Sequence, residues 1–234
     1  MTELSIIIPV FNEKNTILSI IDKINKLNIN KQIIVVDDFS TDGTKEILKN
    51  NNNKMGLLLF HNKNLGKGAA IQSAQKYIKG HYTIIQDADL EYDPNDYYPL
   101  LDFIKKNNLK VLYGSRVLPQ ESINKKRVQN FSNSFRIFGN YLLTLINNII
   151  NKQKLTDAHT CYKLFDSKLF KSIKLEELGF AFCPEITTKL SKMNIKIKEI
   201  PINYTGRSYK EGKKISTIDG IKALFAILKY RYIK

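Results

Sequence analysis

The sequence predicts an α/β fold, in which a single domain with a doubly wound, mostly parallel sheet is followed by an amphipathic C-terminal helix. Apolar runs that each end in a polar cluster are typical of buried parallel strands. Segments with helical spacing of apolar residues lie between them. No stretch rich in Pro, Gly or Ser divides the 234 residues, so we place the domain at residues 1–216 and the helix at 217–234. Because strand and helix alternate, the ligand site is expected at the carboxyl ends of the strands.

Five segments are predicted to be strands. Continuous apolar runs indicate four of them, at Leu4–Val10, 32–36, 82–85 and 111–113. Residues 196–202 alternate and include Pro201, which suits an edge strand because proline has no N–H to give to a neighbouring strand.

Helices are predicted between these strands. Residues 16–27 and 67–78 carry apolar side chains at helical spacing. Ser40 or Asp42 is expected to cap a further helix that includes Ile47 and Leu48.

Two later segments are candidates for binding a surface. Residues 131–150 have few charges and helical spacing of apolar side chains, so their face is either core or membrane-facing. The C-terminal helix has an apolar stripe with Lys and Arg elsewhere. The stripe comprises Ile218, Ile221, Leu224, Phe225 and Leu228. Such a helix either lies in the headgroup plane of a membrane or docks on the domain.

The formal net charge is +15, from 37 Lys plus Arg against 22 Asp plus Glu, which favours an anionic partner. A phosphate-bearing ligand, an anionic lipid and nucleic acid all meet that description. Many of the lysines adjoin asparagines, so we attribute part of the excess charge to solvated surface.

The termini and the cysteines suggest a location. The residues before Leu4 lack the basic region and length of a secretory signal, so we expect a cytoplasmic protein. No window approaches the run of about 18 to 20 apolar residues that crosses a bilayer, so any contact with the inner face of the membrane should be peripheral. Cys161 and Cys183 have no metal-ligand spacing and are expected to be reduced.

Carboxylates cluster after the strand at 82–85. Asp87, Asp89 and Glu91 follow within six residues of its end, and such crowding is usually relieved by a divalent cation. Mg²⁺ or Mn²⁺ suits this set of hard oxygen ligands, with a diphosphate and water completing the shell. The alternative is a solvated acidic turn that caps the next helix.

Polar residues also follow the first two strands. Asp37 and Asp38 end the second strand, so their side chains should converge with the acidic cluster on one cleft. After the first strand, Pro9 is expected to fix a turn, Phe11 to pack near a nucleotide base, and Glu13 to accept ribose hydroxyls. The alternative for Glu13 is an N-cap or an acid in the first turn of the following helix.

These motifs resemble those of family 2 glycosyltransferases. The matching segments are 6–13 (IIIPVFNE), 34–44 (IVVDDFSTDGT), 64–68 (NLGKG) and 87–89 (DAD). Lys67-Gly68 and Gly114-Ser115-Arg116 further resemble the branch of dolichyl-phosphate mannose synthases and polyprenyl-phosphate glucosyltransferases. The resemblance implies a GT-A, Rossmann-like fold and inverting transfer of a hexose, from a donor of the GDP-mannose or UDP-glucose type, to a polyprenyl phosphate.

The resemblance also implies roles for individual residues. Asp89 and Glu91, with Asp87 nearby, would hold Mg²⁺ or Mn²⁺. The residues expected to be catalytic are Asp89, Arg116, Arg207 and Glu185. The residues expected to bind the nucleotide sugar are Pro9, Phe11, Glu13, Asp38, Lys67, Asp87, Ala88, Asp89, Arg116, Arg207 and Lys213.

The second half of the chain matches the branch less closely. Residues 157–163 (DAHTCYK) stand where the branch usually has Asp-x-x-Ser-Gly-Phe-Arg, so Cys161 replaces a glycine and Lys163 an arginine. Arg207 begins a basic segment that resembles one that closes over phosphates in the branch. A basic surface loop is the alternative, although the composition of residues 209–215 favours a flexible lid.

The class of acceptor decides which groups are needed. A hydroxyl acceptor needs a general base, whereas a lipid phosphate arrives ionised and needs cations for positioning. Those cations are expected to be Arg116, Arg127, Arg207, Lys213 and Lys214. Glu185 stands where a base would be, and is either catalytic or an acid in the first turn of the helix after Pro184.

Three rival functions remain open at this stage. A hydroxyl-acceptor glycosyltransferase of surface polysaccharide biosynthesis would act without lipid. A nucleic-acid-binding module would need phosphate contacts with a steep salt dependence, and the strand-end carboxylates disfavour it. A catalytically inactive subunit is disfavoured by the intact Asp87, Asp89 and Arg116. A membrane protein is a possible partner, and processive synthases are disfavoured because the chain has no Trp.

Overall fold

The computed structural model describes residues 2–119, 134–206 and 217–233. In them a seven-stranded sheet has the strand order β3-β2-β1-β4-β6-β5-β7. The strands are β1 (Leu4–Val10), β2 (Lys31–Asp37), β3 (Leu57–Phe60), β4 (Tyr82–Ile85), β5 (Val111–Ser115), β6 (Lys163–Asp166) and β7 (Lys198–Pro201). The α-helices are α1 (Ile17–Asn25), α2 (Thr44–Asn50), α3 (Lys67–Gln75), α4 (Tyr97–Lys106), α5 (Ser134–Asn151), α6 (Ser167–Ser172), α7 (Phe182–Lys192) and α8 (Thr217–Leu228).

The sheet is mostly parallel, as the sequence predicts. β1 pairs in parallel with β2 and β4, β2 with β3, and β5 with β7. Only β6 is antiparallel to both of its neighbours, β4 and β5. The carboxyl ends of β1, β2, β4 and β5 therefore lie along one edge of the sheet, which is where the predicted site residues follow in the sequence.

The core explains why the central strands are continuously apolar. Ile6, Ile7 and Ile8 of β1 are completely buried, because helices cover both faces of the sheet. The buried side chains of α1 are four isoleucines, Ile17, Ile20, Ile21 and Ile24. Their spacing puts them on one side of the helix, as the periodicity predicts.

Some elements differ from the prediction. β3 was not predicted, and its four residues are only half-buried at the edge of the sheet. β6 was not predicted either, because it is four residues long and begins and ends with the charged Lys163 and Asp166. β7 lies at the other edge, as expected from Pro201. Residues 131–133 of the predicted helix 131–150 lie outside the described residues.

The start of α2 distinguishes between the two predicted caps. Asp42 accepts hydrogen bonds from the backbone N–H of Thr44 (3.0 Å) and from its hydroxyl (2.6 Å). Ser40 instead accepts from the N–H of Asn12 at 2.9 Å. The N-cap residue is Gly43, which neither alternative named. Asp42 takes up the N–H of Thr44 from the position before Gly43, while Ser40 ties the turn after β2 to the turn after β1.

The helix α8 docks on the domain with a face that the apolar stripe does not predict. Ala223, Ala226 and Ile227 are buried, and so is Tyr230 in the π-helical turn Lys229–Ile233 that continues α8. The predicted stripe is largely exposed, at Ile218, Ile221, Phe225 and Leu228. Both predicted alternatives are thus compatible, since one face packs and the apolar stripe faces outward.

The neighbouring helix α5 also exposes large apolar side chains, and it buries polar ones. Thr144, Asn147 and Asn151 are buried. Its exposed large apolar side chains are Phe138, Tyr141, Leu142, Leu145 and Ile149. Among the helices of the described residues, none is long and apolar enough to span a bilayer.

Candidate functional site

Tight turns follow three of the strands that end at the site edge. Asn12, Phe39 and Leu90 have φ values of +52°, +67° and +64°, which are uncommon for residues with a side chain. The side chain of Asn12 accepts from the N–H of Thr41 at 2.8 Å. The turns after β1 and β2 are therefore held together by hydrogen bonds on both sides of Asn12.

Pro9 lies inside β1, where it pairs with Val36, and not in the turn that the sequence analysis assigned to it. The carbonyl of Ile7 accepts from Gln86 of the chain that follows β4, so alternate residues of β1 face β4. The ladder between β1 and β4 ends at Ile7 and Ile85. An N–H at position 9 would face β4, but the β1–β4 ladder has already ended there, so the missing N–H of Pro9 costs the sheet no hydrogen bond. The turn begins after Val10.

Glu13 is nearly buried and holds the start of α1. Its backbone N–H donates to the hydroxyl of Thr44 at 3.0 Å, and its carboxylate accepts from the hydroxyl of Thr16 at 2.8 Å. Its carbonyl accepts from the N–H groups of Thr16 and Ile17. The first turn of α1 holds no acidic residue and Thr16 is its N-cap, so Glu13 lies just before the helix and caps the turn that leads into it. The ribose contact of Glu13 stays a prediction. Phe11 is half-buried.

Asp38 organises the loop that leads to α3. Its buried carboxylate accepts from the backbone N–H groups of Leu65 (2.8 Å) and Gly66 (2.7 Å), and it contacts Nδ1 of His61 at 2.7 Å. Gly66 has a φ of +100°, a conformation that favours glycine. Asp38 therefore positions the residue that follows Gly66, which is Lys67.

Lys67 begins α3 and forms an ion pair with Asp87 at the end of β4. Burial raises the pKa of Asp87, but the ammonium group of Lys67 outweighs this and the pKa lies below its ordinary value. Burial likewise lowers the pKa of Lys67, but the carboxylate of Asp87 outweighs this and the pKa lies well above its ordinary value. The two side chains are therefore both charged at neutral pH.

The other two carboxylates of the acidic cluster accept hydrogen bonds from within the protein. Asp89 is half-buried and accepts from the N–H of Glu91 at 3.2 Å. Glu91 is nearly buried, and its carboxylate accepts from the hydroxyl of Tyr204 at 2.7 Å. Ala88, which separates Asp87 and Asp89 in the sequence, is buried.

The oxygen ligands of this cluster fit a hard divalent cation. In the described parts of the chain, no three or more His, Cys, Asp or Glu side chains converge in a way that could enclose a metal ion. Mg²⁺ and Mn²⁺ do not need such an enclosure, because one or two carboxylates suffice when water and a diphosphate supply the other oxygens. Asp89 and Glu91 suit this mode better than Asp87, which is paired with Lys67.

Arg116 follows β5 and is held by Asp157, a residue to which the sequence analysis gave no role. Nε and Nη2 of Arg116 contact the two oxygens of Asp157 at 2.6 Å and 2.8 Å. Burial raises the pKa of Asp157, but Arg116 brings it down to about 2. Arg116 also lies over the ring of Tyr204, with 5.1 Å to the centroid. Its charge contributes to the lowered pKa of Asp87, which shows that the ends of β4 and β5 share one electrostatic environment.

Tyr204 was missed by the sequence analysis because no motif marks it. It contacts both Glu91 and Arg116, and its neighbour Thr205 donates to the carbonyl of Glu91 at 2.8 Å. It therefore links the acidic cluster with the cation at β5. Asp157 could have been recognised from the sequence, because it is the first residue of the segment 157–163 that was compared with the branch.

Lys163 and His159 lie in that same segment. Lys163 is fully buried, donates to the carbonyl of Thr160, and lies 4.6 Å from the centroid of the Tyr113 ring. Burial lowers the pKa of His159 to about 4, and Lys163 lowers it further in the same direction. His159 is thus neutral at physiological pH, and Lys163 supports the loop that carries Asp157.

Glu185 lies in the first turn of α7 and is completely buried. Its two oxygens accept from the backbone N–H groups of Glu176 (2.7 Å) and Glu177 (2.9 Å), and from Nζ of Lys189 (2.7 Å). These contacts fit the first-turn alternative of the sequence analysis rather than a general base.

Several predicted site residues cannot be placed. Arg207, Lys213, Lys214 and Arg127 lie outside the described residues. Of the predicted site, the structure thus brings together Asp87, Asp89, Glu91, Lys67 and Arg116, with Asp38 behind them.

The chain is similar to known proteins over most of its length. The sequence model of the family described as Glycosyl transferase family 2 matches residues 5–174. Two curated relatives illustrate the range of lengths. The chain is 28% identical over 211 residues to a low-salt glycan biosynthesis hexosyltransferase of Haloferax volcanii, covering 87% of this chain and 48% of that protein. It is 25% identical over 243 residues to a dolichyl-phosphate beta-glucosyltransferase of Trichomonas vaginalis, covering 97% of this chain and 72% of that protein.

A solved structure shares the fold. It is the crystal structure of glucosyl-3-phosphoglycerate synthase from Mycobacterium tuberculosis in complex with Mn²⁺, uridine diphosphate and glucosyl-3-phosphoglycerate. The TM-score is 0.68 and the identity 15%, with 100% of this chain and 81% of that chain covered. At this identity, the likeness shows the GT-A fold alone.

Proposed function

The chain belongs to glycosyl transferase family 2, and from that premise we propose that it transfers a hexose, with inversion, from a nucleotide diphosphate sugar to a polyprenyl phosphate. The donor would be of the GDP-mannose or UDP-glucose type. The observation that carries the proposal is the site edge itself, where Asp89 and Glu91 share one edge of the sheet with two cations, Lys67 and Arg116, that other carboxylates hold in place. The Trichomonas relative is a dolichyl-phosphate beta-glucosyltransferase by name, which supports the class of acceptor.

The donor site is proposed around the end of β4. Asp89 and Glu91 would hold Mg²⁺ or Mn²⁺, with Asp87 nearby, and the cation would neutralise charge on the departing diphosphate. Mn²⁺ and uridine diphosphate in the solved structure with the same fold support this choice. Lys67 and Arg116 place positive charge at the same edge, and their carboxylate partners fix where that charge lies. Pro9, Phe11, Glu13, Asp38 and Ala88 complete the proposed nucleotide-sugar site.

The acceptor is proposed to be a phosphate because a hydroxyl acceptor would need a general base, and Glu185, where the base would be, is not suited to that role. That carboxylate is fully buried and bound by two backbone N–H groups and Lys189. An ionised phosphate needs no proton removed, so cations suffice. Arg116 supplies one of them, and we assign Arg207 and Lys213 to the same phosphates on the strength of the family resemblance.

The outward apolar faces of α5 and α8 support peripheral contact with a membrane. Phe138 and Ile149 of α5, and Ile221 and Phe225 of α8, are each more than half exposed. The two helices contact each other, so their exposed side chains belong to one region of the surface. A polyprenyl acceptor resides in a membrane, and an amphipathic helix in the headgroup plane would bring the domain to it. We place this contact at the cytoplasmic face.

The membrane contact is tested by sedimentation with liposomes. Ile221→Ser with Phe225→Ser should reduce the bound fraction several-fold, because it removes apolar area from the lipid-facing side of α8. Met193→Ser is the control, since this apolar side chain is also about half exposed, but lies on another element. Equal sedimentation of both variants and the unmodified protein would assign the exposed face of α8 another role.

The reaction is tested by a donor screen. Purified protein is incubated with Mn²⁺ or Mg²⁺ and a polyprenyl phosphate in detergent, and UDP-glucose, GDP-mannose and related donors are offered separately. We expect mass spectrometry to detect one lipid-linked monosaccharide. Transfer to a glycan hydroxyl without any lipid product would refute polyprenyl phosphate as the acceptor. It would favour the alternative, a hydroxyl-acceptor transferase of polysaccharide biosynthesis.

A further inference from the structure

The first turn of α3, which carries Lys67, is covered by a peptide segment from the other end of the domain. We call residues 176–178 the strap. The carbonyl of Leu178 accepts from the N–H of Ala69 at 3.0 Å, so it satisfies one of the first-turn donors that a helix leaves open. A Cβ at Gly66 would lie 2.5 Å from that carbonyl oxygen, and one at Gly68 would lie 2.0 Å from the carbonyl oxygen of Glu177. The close approach of the strap therefore requires glycine on both sides of Lys67.

The strap is fixed from behind by α7. The backbone N–H groups of Glu176 and Glu177 both donate to the buried carboxylate of Glu185. Lys189, one turn further along α7, balances the charge of that carboxylate at 2.7 Å. Because a buried carboxylate binds both N–H groups, the backbone of the strap has little freedom to shift by itself.

The side chain of Glu177 ties the strap to the C-terminal segment. Its Oε1 accepts from Nζ of Lys229 at 2.7 Å and from the hydroxyl of Tyr230 at 2.8 Å. Tyr230 is buried, and its ring lies 4.4 Å from Nζ of Lys189. Burial tends to raise the pKa of Glu177, but the hydrogen bonds from Lys229 and Tyr230 lower it overall, so the carboxylate is charged at neutral pH.

These contacts form one continuous path. Lys229 and Tyr230 hold Glu177, the backbone of Glu177 lies on Gly68, and Lys67 beside it pairs with Asp87. The C-terminal segment that presents the apolar face is thus linked, through the side chain of Glu177, to the ion pair at the proposed donor site.

We propose that Glu177 is a positioning residue that couples the docked state of the C-terminal helix to the Lys67–Asp87 pair. The nucleoside diphosphate part of the donor is then bound most tightly when α8 is seated on α7. The inference rests on the proposed function only in taking the Lys67–Asp87 pair as part of the donor site. It gives the C-terminal helix a second role, as an element that sets donor affinity from outside the site.

The coupling is tested with variants remote from the donor. Glu177→Gln removes the charge that holds Lys229, and Lys229→Met removes the ammonium group from the other side. Each should weaken the binding of UDP or GDP with Mn²⁺, measured by calorimetry, by about threefold to tenfold, the range for losing a partly exposed ion pair with a charged hydrogen bond. The double variant should be no weaker than either single variant, because both remove the same link.

The control is Glu176→Gln, which makes the same chemical change one residue earlier. The carboxylate of Glu176 lies 3.8 Å from Nζ of Lys189, a longer contact than the 2.7 Å between Glu177 and Lys229, so nucleotide affinity should change much less than in Glu177→Gln. In turnover assays, Glu177→Gln should raise the KM for the donor and leave kcat and the KM for the acceptor unchanged. A general loss of stability would not raise the KM for the donor while leaving kcat and the KM for the acceptor unchanged.

The outcomes separate the two proposals. If the unmodified protein binds neither UDP nor GDP with Mn²⁺, the proposed function is wrong. If it binds one of them, and both Glu177→Gln and Lys229→Met bind equally well, the function stands and the coupling is wrong. Additive losses in the double variant would also contradict the coupling, because they would show two independent effects.

Discussion

The ion pair between Asp157 and Arg116 gives the prediction with the clearest magnitude. The pKa of Asp157 is about 2 in the folded protein, against an ordinary value of 3.8. A shift of somewhat less than two units corresponds to about 2 kcal/mol of stability, at about 1.4 kcal/mol per unit. Asp157 is completely buried, so solvent does not screen the interaction. Replacing it with Asn also leaves the guanidinium of Arg116 without its charged partner, which brings the expected total cost to about 2 to 4 kcal/mol.

The sign of the pH dependence follows from the lowered pKa. Because Asp157 is more acidic in the folded protein, its contribution is present at pH values above about 4 and is lost as the pH falls toward about 2. Asp157→Asn should therefore be less stable than the unmodified protein at pH 7, and the difference should shrink below pH 4.

Urea unfolding, followed by circular dichroism at pH 7 and at pH 3, measures this difference. Asp102→Asn is the control, because Asp102 is exposed on α4 and the same change there should alter stability by less than about 0.5 kcal/mol. Equal stability of Asp157→Asn and the unmodified protein at pH 7 would refute the reasoning. So would a difference that stays constant down to pH 3.

Three further substitutions test the positioning of the site. Gly68→Ala should cost about 1 to 3 kcal/mol in urea unfolding and weaken nucleotide binding, because its Cβ would collide with the strap, whereas Gly139→Ala has open space and should not destabilise. Asp38→Asn should cost about 1 to 3 kcal/mol, since an amide oxygen cannot replace a carboxylate that serves three donors, and equal unfolding midpoints would contradict this. Arg116→Lys should reduce kcat/KM at least about tenfold, because lysine lacks the fork that Asp157 holds, and full activity would show that charge alone suffices.

The sequence was sufficient for the central sheet and for the acidic edge of the site. β1, β2 and β4 are continuous apolar runs because both of their faces are buried, and a pattern set by burial can be read directly. Asp37 ends β2, Asp38 follows it, and Asp87 and Asp89 follow β4. Parallel pairing alone places these strand ends along one edge of the sheet.

The parts that sequence reasoning missed depend on contacts between distant residues. Tyr204 contacts Glu91 although the two are separated by more than a hundred positions, and no local pattern distinguishes this tyrosine from the others. Likewise, the apolar stripe of α8 left open whether that face docks on the domain or lies on a membrane, and the helix packs instead with Ala223, Ala226 and Ile227. Periodicity identifies an apolar side of a helix, but it does not say whether protein or lipid covers it.

The strap shows the same limit. Gly66 and Gly68 were recognised as parts of a motif around Lys67, but not as the surface on which the strap lies. Glu185 stood at a position that suited a general base, and only its three donors identify it as the anchor of residues 176–177.

The most direct test of the central claim is the rate at which labelled hexose passes from the preferred donor to polyprenyl phosphate, compared between two matched variants. Asp89→Asn removes the half-buried carboxylate assigned to the divalent cation. Asp93→Asn makes the same change four residues later, where the side chain accepts from the N–H of Asn95. We predict that Asp89→Asn loses at least about 99% of the transfer rate, as expected for removing a group that stabilises charge in the transition state, while Asp93→Asn retains most of it. Transfer by Asp89→Asn at the rate of the unmodified protein would contradict the account.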